Sequence, residues 1–301
     1  MRTFIQLSDA KAAAQYRSMT FPAFQGLLNF NSADVAPLAV GTLQNEAPAG
    51  LALLVTSPNT GEAELLSIFV APRLRRNGIA LELMQRTLAY CKTQNIQKIS
   101  ASYMSGQDST QTLENIFNKT GWTAPQTRML VVRCSLDSIK SALWLNRYAL
   151  PKGYEVLPWA QVTTAEREAL RVSNLEKPWI APDLLPFDFE ENYEPVTSLA
   201  LRVNGAILGW CLNHVVDGIL RFTCSFLRRD LQRLGRIVLL YSESVSRMPA
   251  AGLSVGMWTV PIRYAGMVNF ANKHMQPYSI FFGETRGVTL HLDATEGLAG
   301  Q

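Results

Sequence analysis

The chain carries one pattern twice, and that repeat limits its fold more than any other feature. Shifted by 157 residues, Arg75 falls on Gln232 and Gly78 on Gly235, and the apolar stripe Leu81, Met84, Leu88, Cys91 falls on Val238, Tyr241, Val245, Met248. Steps of 3, 4 and 3 put each stripe on one helical face, with the glycine just ahead of it. Further on, Thr127-Arg128 recurs as Thr285-Arg286, one residue out of that register. Unrelated domains rarely share a turn glycine and a helix stripe at one offset, so the sequence reads as a tandem duplication. The 301 residues give each copy about the length of a single domain.

Both copies run through the same order of elements. In the first, a strand (3–7) leads to a helix opened by Ser8 and Asp9, then to an apolar segment (21–30). Strands at 35–43, 50–56 and 64–70 follow, the last two joined by a turn at 57–61. A helix (78–93), a strand (98–103), a helix (110–119) and a strand (128–134) complete the copy, and 143–151 crosses to the next. There a strand (154–159) precedes a helix (163–175), with Thr163 and Thr164 as caps and Glu166 close behind. A proline- and acid-rich stretch (178–195) takes the place of the 21–30 segment, and strands follow at 198–203, 207–214 and 219–226. Asn204-Gly205 and Asp217-Gly218 suit the positive φ of hairpin turns. The expected fold is α/β, of the mixed α+β kind. Two tandem domains, 1–145 and 146–301, each form a mostly antiparallel mixed sheet flanked by helices.

Composition excludes some functions. No apolar run approaches the ~18 residues of a membrane span, although 48% of the chain is hydrophobic. The start runs straight into a polar stretch, without the apolar core of a signal segment. Lys+Arg 28 against Asp+Glu 24 leaves +4, too little to argue for nucleic acid. Cys91, Cys134, Cys211 and Cys224, with His214, His274 and His291, lack metal-ligand spacing. The expectation is reduced, buried thiols in a cytoplasmic protein without a metal.

The most informative stretch runs from Glu64 to Ala80. An apolar strand stops at Pro72, a basic loop with Arg73, Arg75 and Arg76 follows, and Gly78 opens an amphipathic helix. Free N–H groups and the positive end of the helix dipole make such a loop an anion site. Gly78 lets the backbone approach a phosphate, and Ala80 keeps the first turn thin. A solvated basic turn is the plainer alternative.

Arg75-Arg76-Asn77-Gly78-Ile79-Ala80 resembles the R/Q-x-x-G-x-G/A signature of the GNAT superfamily of acyl-CoA N-acyltransferases. Val70 and Pro72 fit the V-x-P that precedes it, and residues 113–122 resemble the family's N-x-x-A-x-x-F-Y-x-x-x-G-F stretch. The likeness covers nearly all of residues 1–135. It implies acetyl-CoA or a longer acyl-CoA as co-substrate, with Phe69, Val70, Arg75, Arg76, Asn77, Gly78, Ile79 and Ala80 at the thioester and pyrophosphate. The Val70 amide would polarise the thioester oxygen, and an amine would attack directly in a ternary complex. One departure is Asn118, where the family often has the tyrosine that protonates the leaving thiolate. The second copy keeps Gln232 and Gly235 but has Arg236 after the glycine and Ile237 where glycine or alanine is usual. Arg228, Arg229, Arg233 and Arg236 make this second loop as basic as the first, so that Gln232, Gly235 and Arg236 would hold an acyl-CoA in a modified way or face acid from a partner. Between the two, the first copy is the favoured CoA site.

Glu64 lies where the family often carries its base; a solvated strand-end carboxylate is the alternative. Tyr103, on the adjacent strand, is a candidate acid, and His214 a candidate base because an imidazole titrates near neutrality. Packing roles compete with both. Ser67 and Glu284 are weaker candidates. Asp183, Asp188, Glu190, Glu191 and Glu194, interleaved with Trp179, Phe187, Phe189 and Tyr193, would suit a cationic amine or serve as an anchored acidic loop. The expected function is transfer of an acyl group from acyl-CoA to a primary amine of a small molecule or peptide side chain. The competing expectation is a non-catalytic acyl-CoA-binding or assembly protein. Nucleic acid is not an expected partner, and a homo-oligomer is left open.

Overall fold

The computed structural model describes residues 1–31, 35–57, 60–145, 150–232 and 235–292. The expected turn at 57–61 and crossing at 143–151 lie partly outside them, and Arg233, next to Gln232 in the second copy, lies wholly outside. Contacts divide the chain into two compact units. Unit 1 is Met1–Arg128 with the chain from Thr285 onward, and unit 2 is Met129–Glu284.

Unit 1 begins with β1 (Arg2–Leu7) and α1 (Ala10–Ala14). Asp9 caps α1 by accepting the Ala12 N–H at 2.8 Å. The 21–30 segment is a 3₁₀ run, Pro22–Asn29. β2 (Ala36–Gln44) and β3 (Ala47–Ser57) form a hairpin over Asn45 and Glu46, whose φ values of 52° and 67° give the twist such a turn needs. β4 (Glu62–Val70), α2 (Ile79–Thr93), β5 (Lys98–Met104) and α3 (Thr110–Lys119) follow. The strands lie in the order β1-β2-β3-β4-β5, antiparallel except for the parallel β4–β5 pair.

β6 (Gln126–Ser135) and α4 (Leu136–Lys140) lead into unit 2. That unit contains β7 (Tyr154–Pro158), α5 (Thr164–Glu176), β8 (Leu199–Val203), β9 (Ala206–Val216) and β10 (Ile219–Leu227). It continues with α6 (Arg229–Gln232), α7 (Ile237–Arg247), β11 (Val255–Pro261) and α8 (Ala265–Phe270). Its sheet runs β6-β11-β10-β9-β8-β7. The last strand, β12 (Phe281–His291), pairs antiparallel with β5 from Thr285 onward and so completes the sheet of unit 1. Each unit's sixth strand thus comes from the other half of the sequence. The sequence repeat, 1–145 and 146–301, and the contact units are different divisions of the chain, because β6 and β12 change places between them.

The expected stripe of the second copy is buried, and that of the first is buried at two of its four positions. Met84 and Cys91 of α2 are in the core of unit 1 and Leu81 and Leu88 pack against it, while Val238, Tyr241, Val245 and Met248 are in the core of unit 2. Each sheet has apolar side chains on both faces. In unit 1 these are Leu83 and Phe117 on the α2–α3 side and Tyr16 and Leu51 on the other. In unit 2 they are Phe222 and Trp258 on the α7 side and Trp159, Trp210 and Phe226 on the other. Each such side chain stabilises its unit by about 1.5–3 kcal/mol relative to leaving it in water.

The duplication extends to strand register. β4 pairs with β5 over Glu62–Leu65 and Lys98–Ala101, and β10 pairs with β11 over Leu220–Phe222 and Gly256–Trp258, so Ala63 with Ile99 and Leu220 with Gly256 repeat at the offset of 157. A β-bulge follows in both. Opposite Leu53 and Leu54 stand Ser67 and Leu65, which leaves Leu66 as the extra residue. Opposite Asn213 and Leu212 stand Phe222 and Cys224, which leaves Thr223, again 157 residues on. A bulge kinks its strand and increases the local twist. After it, β4 and β10 continue paired only with β3 and β9.

Candidate active site

In unit 1 the end of β4 leads into the basic loop. Gly50 lies opposite Val70, and a Cβ there would stand 2.7 Å from the Phe69 carbonyl oxygen, so only glycine lets β3 pass so closely. The Ala71 N–H donates to the Ala49 carbonyl at 2.9 Å and pins the start of the loop. Arg75 turns back, its Nε donating to the Val70 carbonyl at 3.2 Å, with its guanidinium 5.7 Å from the Phe69 ring centre. The Asn77 amide donates to the Leu74 and Arg75 carbonyls at 3.3 and 3.4 Å. Arg2 bonds Glu82 at 3.0 Å and the Asn77 carbonyl at 3.3 Å, bracing the loop from β1.

Arg76 and Gly78 both have positive φ, 64° and 74°. A Cβ on Gly78 would meet nothing within 4 Å, so the glycine serves the backbone turn and leaves open space above it. The first helical N–H to find a carbonyl behind it is that of Glu82, on Gly78 at 3.1 Å, and the amides before it lack an intrahelical acceptor. Ile79 is buried and anchors the first turn, and Ala80 packs beside it on the α2 core. Arg73 and Arg76 are exposed and enter no ion pair among the described residues. A bound phosphate would meet open amides, the positive end of α2 and uncompensated charge.

In unit 2 the backbone follows the same course. Gly209 lies opposite Leu227, the Arg228 N–H donates to the Leu208 carbonyl at 2.9 Å, and Gln232 Nε2 donates to the Leu227 carbonyl at 2.8 Å. The loop itself differs. The Gly235 N–H is bonded to the Gln232 carbonyl at 3.2 Å, and those of Val238 and Leu239 to the Gly235 and Arg236 carbonyls at 3.0 and 3.1 Å. These tight bonds consume donors that α2 leaves open. Arg236 lies over the Tyr154 ring, 5.4 Å from its centre, and Arg228 is paired with Asp230 at 2.7 Å.

Beside this loop is a cleft of about 1290 Å³, lined by Gln232, Gly235 and Arg229 at the loop and by Thr223 and Ser225 on β10. Tyr241 lines it from the α7 side of the sheet and Trp179 and Phe189 from the other, so the cleft passes through the sheet where β10 and β11 part. Sites for drug-sized ligands span roughly 300–1,000 Å³, and this one suits something longer. Asp183 lines it from the acidic segment, where the Tyr264 hydroxyl at 2.8 Å and the Arg263 guanidinium hold its carboxylate.

The proposed acid–base residues have different settings. Glu64 is exposed on β4, opposite Val55 and Ser100. Ser67 is buried just past the bulge, its hydroxyl 2.8 Å from that of Thr20. The Tyr103 hydroxyl donates to Glu114 at 2.9 Å, and the same carboxylate oxygen accepts from Arg286 at 2.9 Å. Tyr103 is thus engaged beneath α3, on which Asn118 is exposed. His214 lies on β9 opposite Arg221, with Nδ1 3.0 Å from the Thr223 hydroxyl and Nε2 3.0 Å from the Glu191 carbonyl. Glu284 lies on β12 and ends unit 2. The acidic stretch contributes mostly anchors: Glu190 accepts the Trp159 indole N–H at 2.8 Å, and Glu194 holds the Thr197 N–H at 2.6 Å.

Sequence reasoning missed Thr223, Ser225 and the β11–α8 wall of the cleft. No motif marks them; a shared bulge position at the repeat offset is the signal that would have found Thr223. All four cysteines are buried and free, and burial pushes the Cys91, Cys211 and Cys224 thiols up to about 12 and Cys134 to about 11, which leaves none as a ready nucleophile. Among the described residues no group of His, Cys, Asp or Glu could hold a metal, and no helix is long and apolar enough to cross a membrane.

Residues 9–113 match the Acetyltransferase (GNAT) family, and no curated protein matches the chain by sequence. By structure the chain is similar to a tandem GNAT protein from the clavulanic acid biosynthesis pathway, at 13% identity and a TM-score of 0.63, over 97% of this chain and 98% of that one. It is also similar to a GCN5-related N-acetyltransferase from Sphaerobacter thermophilus, at 16% identity and a TM-score of 0.60, over 96% and 95% of the two chains. At such identities the likeness speaks for the fold. Residues 9–113 therefore carry the pattern of the GNAT acetyltransferase family, and the chain as a whole has the tandem GNAT fold.

Proposed function

We propose that this protein moves an acyl group from acyl-CoA to a primary amine by direct attack within a ternary complex, as a cytoplasmic enzyme that uses no metal. The observation that carries the reading is the loop of unit 1. A strand edge freed by a bulge runs into left-handed Gly78 and the open amides of α2, with Arg73 and Arg76 beside them. The amides of Arg76 to Ala80 would hold the pyrophosphate, and those on the free edge of β4, at Phe69 and Val70, the pantetheine and thioester. An N–H aimed at the thioester oxygen stabilises the negative charge that grows there as the amine attacks. Glu64, exposed at the other end of the same strand, is the candidate base of this unit.

A second reading, acyl-CoA binding without turnover, is favoured by exposed Asn118 and by the engagement of Tyr103 with Glu114. Two experiments decide. Calorimetric titration with acetyl-CoA should lose a binding site in a folded Gly78→Asp variant; unchanged binding would sink the assignment to unit 1. Thiol release from acyl-CoA in the presence of a panel of primary amines should be seen with the native protein, and its absence leaves binding alone.

A further inference from the structure

At the two bulges the repeat places different chemistry on the same backbone. Unit 1 has Leu66 as the extra residue, and unit 2 has Thr223, which lines the cleft. Where Val55 stands opposite Glu64 in unit 1, His214 stands opposite Arg221 in unit 2. Only the second bulge therefore carries a hydroxyl, and only there does an imidazole touch it.

We infer that Thr223 is a proton-relay residue of the unit 2 cleft, carrying a proton from an attacking amine to His214. The proposal rests on the acyl-transfer reading above. Its geometry follows from which atoms can donate. A carbonyl oxygen only accepts, so the 3.0 Å contact between His214 Nε2 and the Glu191 carbonyl puts the ring hydrogen on Nε2. In the neutral ring Nδ1 then holds a lone pair, and the Thr223 hydroxyl lies 3.0 Å from it. Once Nδ1 is protonated it donates to Thr223 Oγ1, and the hydroxyl turns to the Arg221 carbonyl, 3.3 Å away. Thr223 has an acceptor for its proton in both states, and His214 has a partner for each nitrogen in both. The charged residues that meet His214 in these contacts are Arg221 across the β9–β10 ladder and Glu191 from the acidic segment.

Thr223 is also well placed for the reaction. Paired register between β10 and β11 ends at Phe222 and Trp258, so Thr223 stands at the point where the strands part. Trp179 and Phe189 line the same cleft. There the amine nitrogen bonds to the thioester carbonyl carbon, and collapse of the adduct breaks the C–S bond. The amine's proton passes to Thr223 Oγ1 as the hydroxyl's own proton moves to His214 Nδ1. The CoA thiolate leaves and takes a proton from water, and His214 returns its proton to solvent.

The test uses the full chain with Gly78→Asp in the background, so that thiol release with octanoyl-CoA and a primary amine comes only from acyl-CoA seated in the unit 2 cleft; no release in that background overturns the relay. Thr223→Val is expected to lower kcat about a hundredfold, the low end for general-base assistance, and Thr223→Ser to restore most of it. His214→Gln should match Thr223→Val and add nothing to it in the double variant. Turnover by Thr223→Val equal to its parent would overturn the relay. A readout free of turnover is the ring tautomer of His214 by nitrogen NMR: Nε2–H is expected, and Nδ1–H overturns the proposal. If the native protein releases no thiol with any acyl-CoA and amine, the transfer reading itself fails, and the relay fails with it.

Discussion

Arg75 reaches the Val70 carbonyl at 3.2 Å in unit 1, and Gln232 reaches the Leu227 carbonyl at 2.8 Å in unit 2. Gly50 and Gly209 sit under the same turn, and Leu66 and Thr223 are the same extra residue. The units share what the backbone needs and differ in what chemistry needs. Glu64 corresponds to Arg221 across the repeat and Val55 to His214, and where the α2 loop leaves its amides open, those of Gly235 and Val238 are already bonded. Strand register, bulge and turn are tied to one another by hydrogen bonds, so no one of them changes without the rest. Side chains on the freed edge touch little of that frame and can vary. The two units thus offer one scaffold with two different sites: a phosphate loop in unit 1 and a large aromatic cleft in unit 2.

The widest difference should appear in CoA affinity. Gly78→Asp puts a carboxylate where unit 1 has open amides, and about a hundredfold loss of acetyl-CoA affinity is expected by calorimetry, in line with unlike and like charge at contact distance. Gly235→Asp suffers the same left-handed strain, since Gly235 has φ of 66°. Its loop amides are engaged, and a loss of less than about tenfold is expected. Equal losses would mean that the two loops bind phosphate alike and that the bonds at Gly235 open on binding.

Stability offers the next contrast. In Gly50→Ala the new methyl meets the Phe69 carbonyl oxygen at 2.7 Å, and backbone must move. In Gly209→Ala it meets the end of the Leu227 side chain at 2.2 Å, which can rotate, and the Phe226 carbonyl at 3.0 Å. Overpacking costs about 1–3 kcal/mol, with Gly50→Ala expected near the upper end and Gly209→Ala near the lower in urea unfolding. The reverse order would show that Leu227 is less free than β3.

Much of this was legible before any coordinates. The stripe of α7, the glycine ahead of each helix and the Thr163–Glu166 capping box are local patterns found as read, whereas the buried face of α2 runs through Leu83, Met84, Thr87 and Cys91 with Leu81 and Leu88 half-buried at its margin. What escaped is set at long range. The change of place between β6 and β12 depends on partners far apart in sequence, and Tyr103 is tied to Glu114 and through it to Arg286, 172 residues from Glu114. Sequence patterning does not mark β11 and β12 as strands. β11 alternates in burial as strictly as β10, but one of its buried positions is Gly256, which gives no apolar signal; β12 is half-buried along most of its length and does not alternate. The bulges have no local signature, and Thr223 emerges only when two registers are compared.

An acid-sensitive contrast follows from the capping box of α5. The Arg202 guanidinium, hydrogen-bonded to Glu166 at 2.7 Å, holds its carboxyl down at about 2 from 4.5, with the Thr163 N–H and hydroxyl adding to the effect. A depressed folded-state value means that the contribution is full above about pH 5 and is lost as pH falls toward 2. The stability gap between the native protein and Glu166→Gln should therefore narrow over that window. A constant gap would assign the loss to the cap geometry rather than to charge.

The smallest expected effect bears directly on the shared clamp. Arg75→Ala and Gln232→Ala each remove one hydrogen bond to a strand-end carbonyl, at about 1 kcal/mol of stability. Because a glutamine already makes the bond in unit 2, Arg75→Gln should restore most of the loss in unit 1 and keep acetyl-CoA affinity close to native. If Arg75→Gln binds CoA as poorly as Arg75→Ala while its stability recovers, the guanidinium acts on the phosphate as well as on the Val70 carbonyl. The cation of unit 1 and the neutral amide of unit 2 would then be a functional difference between the two loops, added to the difference in their amides.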